Sequence, residues 1–141
     1  MNARIFASVL GMVLSVGAAE AATEVTVNLG DAADDKSMAM TLDKTSAKAG
    51  PVEFDVTNLA KTKTHEMLVV PVKTANQTLP YDSKNDTVNE LKVKSLGETG
   101  DMEPGAKKNV TFTLKPGVYA LICNQPGHYH HGMKATFTVT P

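Results

Sequence analysis

Apolar and polar residues alternate in several short stretches of this chain. In residues 25–29 the apolar side chains Val25, Val27 and Leu29 share one face, and the residues between them are polar. A period of two is typical of a β-strand that buries one face. A similar spacing occurs in residues 38–42, 52–56, 110–114 and 135–139, whereas residues 67–72 and 118–122 are apolar on both faces. The pattern therefore predicts seven strands, of which the last two mentioned are interior strands.

Turn signals separate these stretches. Gly and Pro occur together at residues 49–51, 103–105 and 115–117, and such pairs mark turns. The apolar residues show no long helical period. Short alternating strands joined by turns are typical of two packed antiparallel sheets. We therefore predict an all-β protein with the architecture of an antiparallel β-sandwich.

Residues 73–103 interrupt this pattern, because they form a connection too long for a plain hairpin loop. Thr87 and Glu90 lie three residues apart, as in the capping box that begins a helix. Val88 and Leu91 lie three apart as well. We predict one short helix, at about residues 87–93, inside this inserted loop.

The first 21 residues look like a targeting segment rather than part of the domain. Arg4 supplies a positive start, residues 5–16 are mostly apolar, and Ala19, Glu20 and Ala21 form a small-x-small cleavage pattern. These are the features of a secretory signal peptide, too short for a membrane span. We expect a signal peptide at 1–21 and one soluble domain at 22–141. The domain is expected in the periplasm or otherwise outside the cytoplasm. The residue directly after the cleavage site is not Cys, so we expect no lipid anchor of the bacterial lipoprotein kind.

The charge of the chain argues against nucleic acid as a partner. The formal net charge is −1, and Arg4 is the one arginine among 14 basic residues. Nucleic-acid-binding proteins usually carry a basic excess and use Arg for bidentate contacts. Neither feature is present in residues 22–141.

The single cysteine begins a run of metal-binding residue types. Cys123, His128 and Met133 are five residues apart each time. A lone thiol in an oxidising compartment cannot form an internal disulfide, so it is either a buried structural residue or a ligand. A thiolate, an imidazole and a thioether on one loop suit copper best, with Met as a weak axial ligand. Zinc is the alternative, but it would leave Met133 unexplained.

A trigonal copper site needs a second imidazole from elsewhere in the chain. His65 is the one histidine outside the loop, and it precedes the apolar stretch 67–72. The alternative interpretation is a half-buried histidine with an ordinary hydrogen-bonded role. We predict that His65, Cys123, His128 and Met133 bind one copper ion.

Residues 116–129, followed by Gly132 and Met133, resemble the type I (blue) copper proteins, or cupredoxins. The ligand-loop spacing is similar to that of rusticyanin and auracyanin, and plastocyanin and azurin have shorter loops. Thr57, Asn58 and residues 65–70 also look like the segment that holds that family's first histidine. The resemblance implies a Greek-key sandwich with copper near one end. In plastocyanin and azurin an Asn that ties two loops together usually follows the first histidine, whereas here Glu66 does.

The resemblance implies a soluble carrier of single electrons, not an enzyme. It implies redox protein partners that dock near His128, whose ring edge would be the electron port. We expect a monomer. The alternative function is a periplasmic copper-binding protein for copper tolerance or delivery, which His130, His131 and the seven Met favour. An oxidase with a trinuclear copper cluster would need more than the chain's four His.

Several further residues have two interpretations each. His130 and His131 are either exposed loop residues or a weak surface metal patch. Met38, Met40 and Met67 are expected in the core, and Met102 is expected to be exposed. The charges of Lys61 and Lys63 either steer an acidic partner to the copper end or simply face solvent.

Overall fold

The structure is a computed structural model that describes residues 21–31, 33–34, 36 and 38–141. The strands of the described residues are β1 (Thr23–Leu29), β2 (Met40–Leu42), β3 (Ser46–Lys48), β4 (Gly50–Asn58), β5 (Leu68–Val72), β6 (Tyr81–Asp82), β7 (Thr87–Val88), β8 (Gly97–Glu98), β9 (Lys107–Leu114), β10 (Gly117–Ile122) and β11 (Lys134–Thr140). All seven predicted strands are present, as β1, β2, β4, β5, β9, β10 and β11. The predicted signal peptide, apart from Ala21, lies outside the described residues.

The strands form two main sheets. One has the order β2-β1-β4-β9 and the other the order β3-β11-β10-β5-β8. Neighbours that are distant in sequence, such as β5 and β10, show that the chain crosses between strands as in a Greek key. The predicted β-sandwich is confirmed. Two pairings, β1 with β4 and β3 with β11, are parallel rather than antiparallel.

The core lies between the sheets and follows from the alternation in the sequence. In β4 the side chains of Val52, Phe54 and Val56 are buried, and the residues between them are partly exposed. Phe54 meets Phe137 of the other sheet edge-on, with ring centroids 5.4 Å apart. Burying a side chain of this size stabilises the fold by about 1.5–3 kcal/mol.

The turn signal at residues 49–51 corresponds to a single bend between two strands, not to a loop. The chain bends at Ala49, and Gly50 already begins β4. The preceding strand β3 lies at the edge of the second sheet and pairs with Thr138–Thr140. Its residues are polar or small and largely exposed, so the hydrophobic pattern contains no sign of it. Backbone pairing at the sheet edge, rather than apolar burial, holds β3 in place.

The helix expected at residues 87–93 is a shorter element. Thr87 and Val88 form β7, which pairs with β6 in a small hairpin. One turn of 3-10 helix follows at Glu90–Lys92, with Asn89 at its N-cap and no side-chain capping bond. Val88 is buried in a second apolar cluster, and this burial favours the strand conformation. The cluster consists of Leu68, Val70, Leu79, Val88, Ile122 and Tyr129.

The second cluster places the inserted segment against the outer side of the β5–β10 sheet, next to the loop that follows β10. Among the described residues, none belongs to a helix that is both long and apolar enough to cross a membrane.

Candidate metal centre

Cys123 follows β10 directly and continues the inward alternation of Tyr119 and Leu121. It is fully buried. The loop of residues 123–133 then folds back on itself through backbone hydrogen bonds. The N–H of Met133 donates to His128 at 2.9 Å, and the N–H of Cys123 donates to Met133 at 3.1 Å. These bonds bring the three equally spaced residues of the motif to the same end of the sandwich.

His65 comes from the loop that precedes β5, where it forms an isolated bridge with Met102. Asn58 organises this loop. Its side-chain amide donates to the carbonyls of Lys63 and Met102, both at 2.8 Å, and its oxygen accepts from the N–H of Ala60. The expectation that Met102 is exposed is wrong: it is fully buried, because its backbone pairs with His65 and its side chain completes the core.

Gly30 also shapes the site, and the sequence analysis did not identify it. Its φ is +73°, and a Cβ at this position would lie 3.0 Å from Nε2 of His65 and 3.1 Å from Cβ of Ala60. The backbone of the turn after β1 therefore packs against the imidazole edge. A glycine after an alternating strand is too common a signal for sequence alone to reveal this contact.

Three potential ligand atoms converge in the interior at this end of the sandwich. Nδ1 of His65 and Nδ1 of His128 are 3.2 Å apart. Sγ of Cys123 lies 3.3 Å from Nδ1 of His128 and 3.9 Å from Nδ1 of His65. His65 and Cys123 are fully buried, whereas His128 is partly exposed.

These separations match those of ligands around one metal ion. Metal bonds of about 2.0 Å to nitrogen and about 2.3 Å to sulfur place two nitrogens of a trigonal set about 3.5 Å apart, and each about 3.7 Å from the sulfur. The observed distances lie within about 0.4 Å of these values. Two imidazoles and one thiol are the trigonal donor set of a blue-copper site. The residues present therefore fit a copper ion.

Met133 lies in the same buried core cluster as Cys123 and is fully inaccessible. Its backbone bonds to both Cys123 and His128. These backbone bonds place Met133 next to the donor residues, and its role as a thioether ligand stays a prediction.

Burial sets the protonation of the thiol and of the partly exposed imidazole. Burial raises the pKa of Cys123 to about 11, although the backbone N–H groups of Glu66 and Gln125 donate to its sulfur and lower the pKa. The pKa of His128 is lowered by burial and by the charges of Lys63 and His131. A neutral imidazole is the form that binds metals. A metal must displace the proton of the thiol.

Glu66, which follows His65, bonds to the first two residues after β10. The N–H of Asn124 donates to its carboxylate, and the N–H of Glu66 donates to Sγ of Cys123 at 3.5 Å. Burial raises the pKa of Glu66 to about 7, and the charges of Glu98, Asp101 and Glu90 add to this. The carboxylate of Glu66 thus contacts the backbone of the residue after Cys123.

The remaining candidates lie outside the donor group. His130 and His131 are exposed, with ring centroids 5.8 Å apart. Lys61 and Lys63 are exposed as well. The core interpretation of the other methionines is confirmed. Met40 and Met67 are buried and Met38 packs partly buried against the core.

Comparison with known proteins gives the same picture. Auracyanin-B of Chloroflexus aurantiacus is 50% identical over 48 residues, which are 33% of this chain and 20% of that protein. The match therefore spans about a fifth of the curated relative.

Solved structures share the fold over most of the chain. A dithionite-reduced auracyanin from Roseiflexus castenholzii has a TM-score of 0.60 at 20% identity, covering 86% of this chain and 100% of its own. Auracyanin B has a TM-score of 0.58 at 27% identity, covering 85% and 90%. Rusticyanin from Thiobacillus ferrooxidans has a TM-score of 0.64 at 17% identity, covering 83% and 76%.

A family profile described as copper binding proteins, plastocyanin/azurin family, matches residues 23–140. This match covers almost the whole described domain, including the converging donor atoms and the loop that carries Met133. The chain therefore belongs to the plastocyanin/azurin family of copper-binding proteins, and its cofactor is one copper ion.

Proposed function

We propose that this chain is an exported electron carrier whose copper is bound by His65, Cys123, His128 and Met133. The convergence of two Nδ1 atoms and one buried thiol within 3.9 Å carries the proposal. A thiolate and a thioether favour copper over zinc, calcium or magnesium. Copper, when bound, supplies the one-electron change between Cu(I) and Cu(II).

The protein's own groups support electron transfer by keeping the site rigid and dry. Cys123 is fully buried, and two backbone N–H groups fix its sulfur. Outer hydrogen bonds and an apolar surrounding tune the potential of a metal site. A site that holds one geometry in both oxidation states needs little rearrangement when an electron arrives or leaves.

His128 is the proposed electron port, because it is the partly exposed member of the three-donor group. A redox partner that docks over this ring would come close to the metal without opening the site. The exposed Lys63 lies near enough to lower the pKa of His128. Its charge favours a partner with an acidic docking face, since complementary charge speeds encounter.

The ligand assignment is tested by the visible and EPR spectra of the Cu(II)-loaded protein. Cys123→Ser should abolish the intense thiolate-to-copper band, and His128→Gly should open the site to added imidazole. His131→Ala is the matched control, because it removes an imidazole of the same loop from outside the donor group. A strong band in Cys123→Ser, or its loss in His131→Ala, would refute the assignment.

Electron transfer is tested by voltammetry of the copper-loaded protein. A reversible one-electron wave is expected, and Met133→Gln should retain the colour and lower the potential. A protein that binds copper but gives no reversible wave would contradict the carrier role. Export is tested by N-terminal sequencing of protein from the extracytoplasmic fraction, which should begin at Ala22.

A copper-handling role is the second candidate, and the exposed neighbouring rings of His130 and His131 favour it. Binding of more than one copper per chain, with rapid loss to a chelator, would support this role. Replacing both residues with Ala should then reduce the stoichiometry to one. A stoichiometry of one in the unmodified protein, with slow loss of copper to the chelator, would contradict this role.

A further inference from the structure

The loop of residues 123–133 contacts a segment outside the metal-binding motif. This segment, residues 79–90, contains the β6–β7 hairpin, and we call it the brace. It belongs to the insertion for which the sequence predicted a helix. Leu79 and Val88 of the brace are buried against Tyr129 in the second apolar cluster. The brace is thus packed on the outer side of the β5–β10 sheet.

Asn124 of the loop makes three hydrogen bonds to the brace, more than the other connecting residues. Its side-chain oxygen accepts from the N–H of Val88 at 2.6 Å, and its amide donates to the carbonyl of Val88 at 3.1 Å. The same amide donates to Oε1 of Glu90 at 2.7 Å. Asn124 is 7% exposed, so these bonds form where water cannot readily replace them. The side chain pairs with Val88 much as a neighbouring strand would.

Two further connections lie on either side of His128. The N–H of Gly127 donates to the carbonyl of Asp86 at 2.7 Å. The hydroxyl of Tyr129 accepts from the N–H of Leu79 at 3.1 Å. Three residues therefore anchor the loop to the brace. Asn124 follows Cys123 in the sequence, and Gly127 and Tyr129 flank His128.

We propose that the brace positions Cys123 and His128 relative to each other, with Asn124 as its principal positioning residue. The inference rests on the ligand assignment proposed above. Each anchor is one residue from a metal-binding side chain, so movement of the brace would shift those side chains directly. Fixing ligands through groups outside the first coordination shell is a general way to tune a metal site.

The test compares three variants of the full chain. Asn124→Leu keeps the length and branching of the side chain but removes its hydrogen bonds. Tyr129→Phe keeps the packed ring and removes only the hydroxyl. Thr136→Val is the matched control. It also removes a hydroxyl bonded to the insertion, at Ala75 (3.1 Å), but from a strand rather than the metal loop.

The first readout is amide hydrogen exchange in the metal-free protein, which reports local opening. Asn124→Leu and Tyr129→Phe should both speed exchange at Gly127, which neither substitution touches, by about fivefold to tenfold, as loss of a hydrogen bond predicts. Thr136→Val should leave this rate within about twofold. The second readout is the Cu(II) EPR spectrum, which should change in the first two variants and stay unchanged in the control.

The inference is overturned if Gly127 exchange and the EPR spectrum stay at wild-type values in Tyr129→Phe, or if Thr136→Val changes them equally. Should Asn124→Leu fail to fold, Tyr129→Phe alone decides. The exchange measurement needs no copper. If the variants speed exchange at Gly127 but the wild-type protein binds no copper, the proposed function is refuted. The structural link between the brace and the loop would still stand.

Discussion

Replacing Gly30 with alanine should disturb the metal centre from a position that binds no metal. Gly30 has a φ of +73°, and the added Cβ would lie 3.0 Å from Nε2 of His65 and 3.1 Å from Cβ of Ala60. The left-handed backbone costs about 1–2 kcal/mol for a residue with a Cβ. Crowding in a packed interior adds about 1–3 kcal/mol. A small gain from the stiffer unfolded chain offsets part of this, so we expect a loss of about 2–4 kcal/mol.

Gly105→Ala is the matched control, because it adds a Cβ at a similar backbone angle but away from His65. Gly105 has a similar φ of +78°, but a Cβ there would meet nothing within 4 Å. This variant carries the backbone strain alone and should lose about 1 kcal/mol. The difference between the two variants therefore measures the crowding of His65 and Ala60.

Urea unfolding of the metal-free protein gives both free energies of unfolding, and the Cu(II) spectrum reports the imidazole. Gly30→Ala should change the spectrum because the ring must move by a few tenths of an ångström, whereas Gly105→Ala should not. Equal destabilisation of the two variants, together with an unchanged spectrum in Gly30→Ala, would refute the reasoning.

Two further predictions concern residues whose environment the fold determines. Met102→Ala should lower the free energy of unfolding by about 2–5 kcal/mol, because it empties a fully buried site. Urea unfolding measures this, and a loss under about 0.5 kcal/mol would mean that the side chain is exposed after all. The hydrogen bond from the Tyr81 hydroxyl to Asp86 raises the pKa of Tyr81 to about 12. Because the folded pKa lies above the ordinary value of about 10, any stabilisation is complete below that pH and is lost as pH rises towards 12. Ultraviolet titration should show Asp86→Asn returning this pKa towards 10, and an unchanged titration would contradict the role of the hydrogen bond.

The main strands could be predicted because the apolar residues of each strand mark the face that is buried. The alternation of Val52, Phe54 and Val56 has the period of a strand, and one face of β4 is buried accordingly. The short strands β3 and β7 could not be predicted. Neither shows an apolar alternation, and both form through backbone pairing, β3 with the distant β11 and β7 with the neighbouring β6.

The insertion shows how tertiary contacts override a local signal. Thr87 and Glu90 have the spacing of a capping box, yet Thr87 is in β7. Val88 gains burial against Leu79 and Tyr129, and its backbone gains the side chain of Asn124 as a partner. A helix starting at Thr87 would lose both, and a capping box contributes only about 1 kcal/mol.

The sequence by itself favoured copper over zinc and contained the whole metal-binding motif. Cys123, His128 and Met133 lie on one loop, so their spacing and chemical softness are local properties, and His65 was the one histidine left. Only the tertiary structure decided that Nδ1 of His65 lies 3.9 Å from the thiol, that Gly30 abuts the ring, and that residues 79–90 bond to the loop. These relations depend on how two sheets and an insertion pack, and packing joins residues whose separation along the chain reveals nothing of their distance in space.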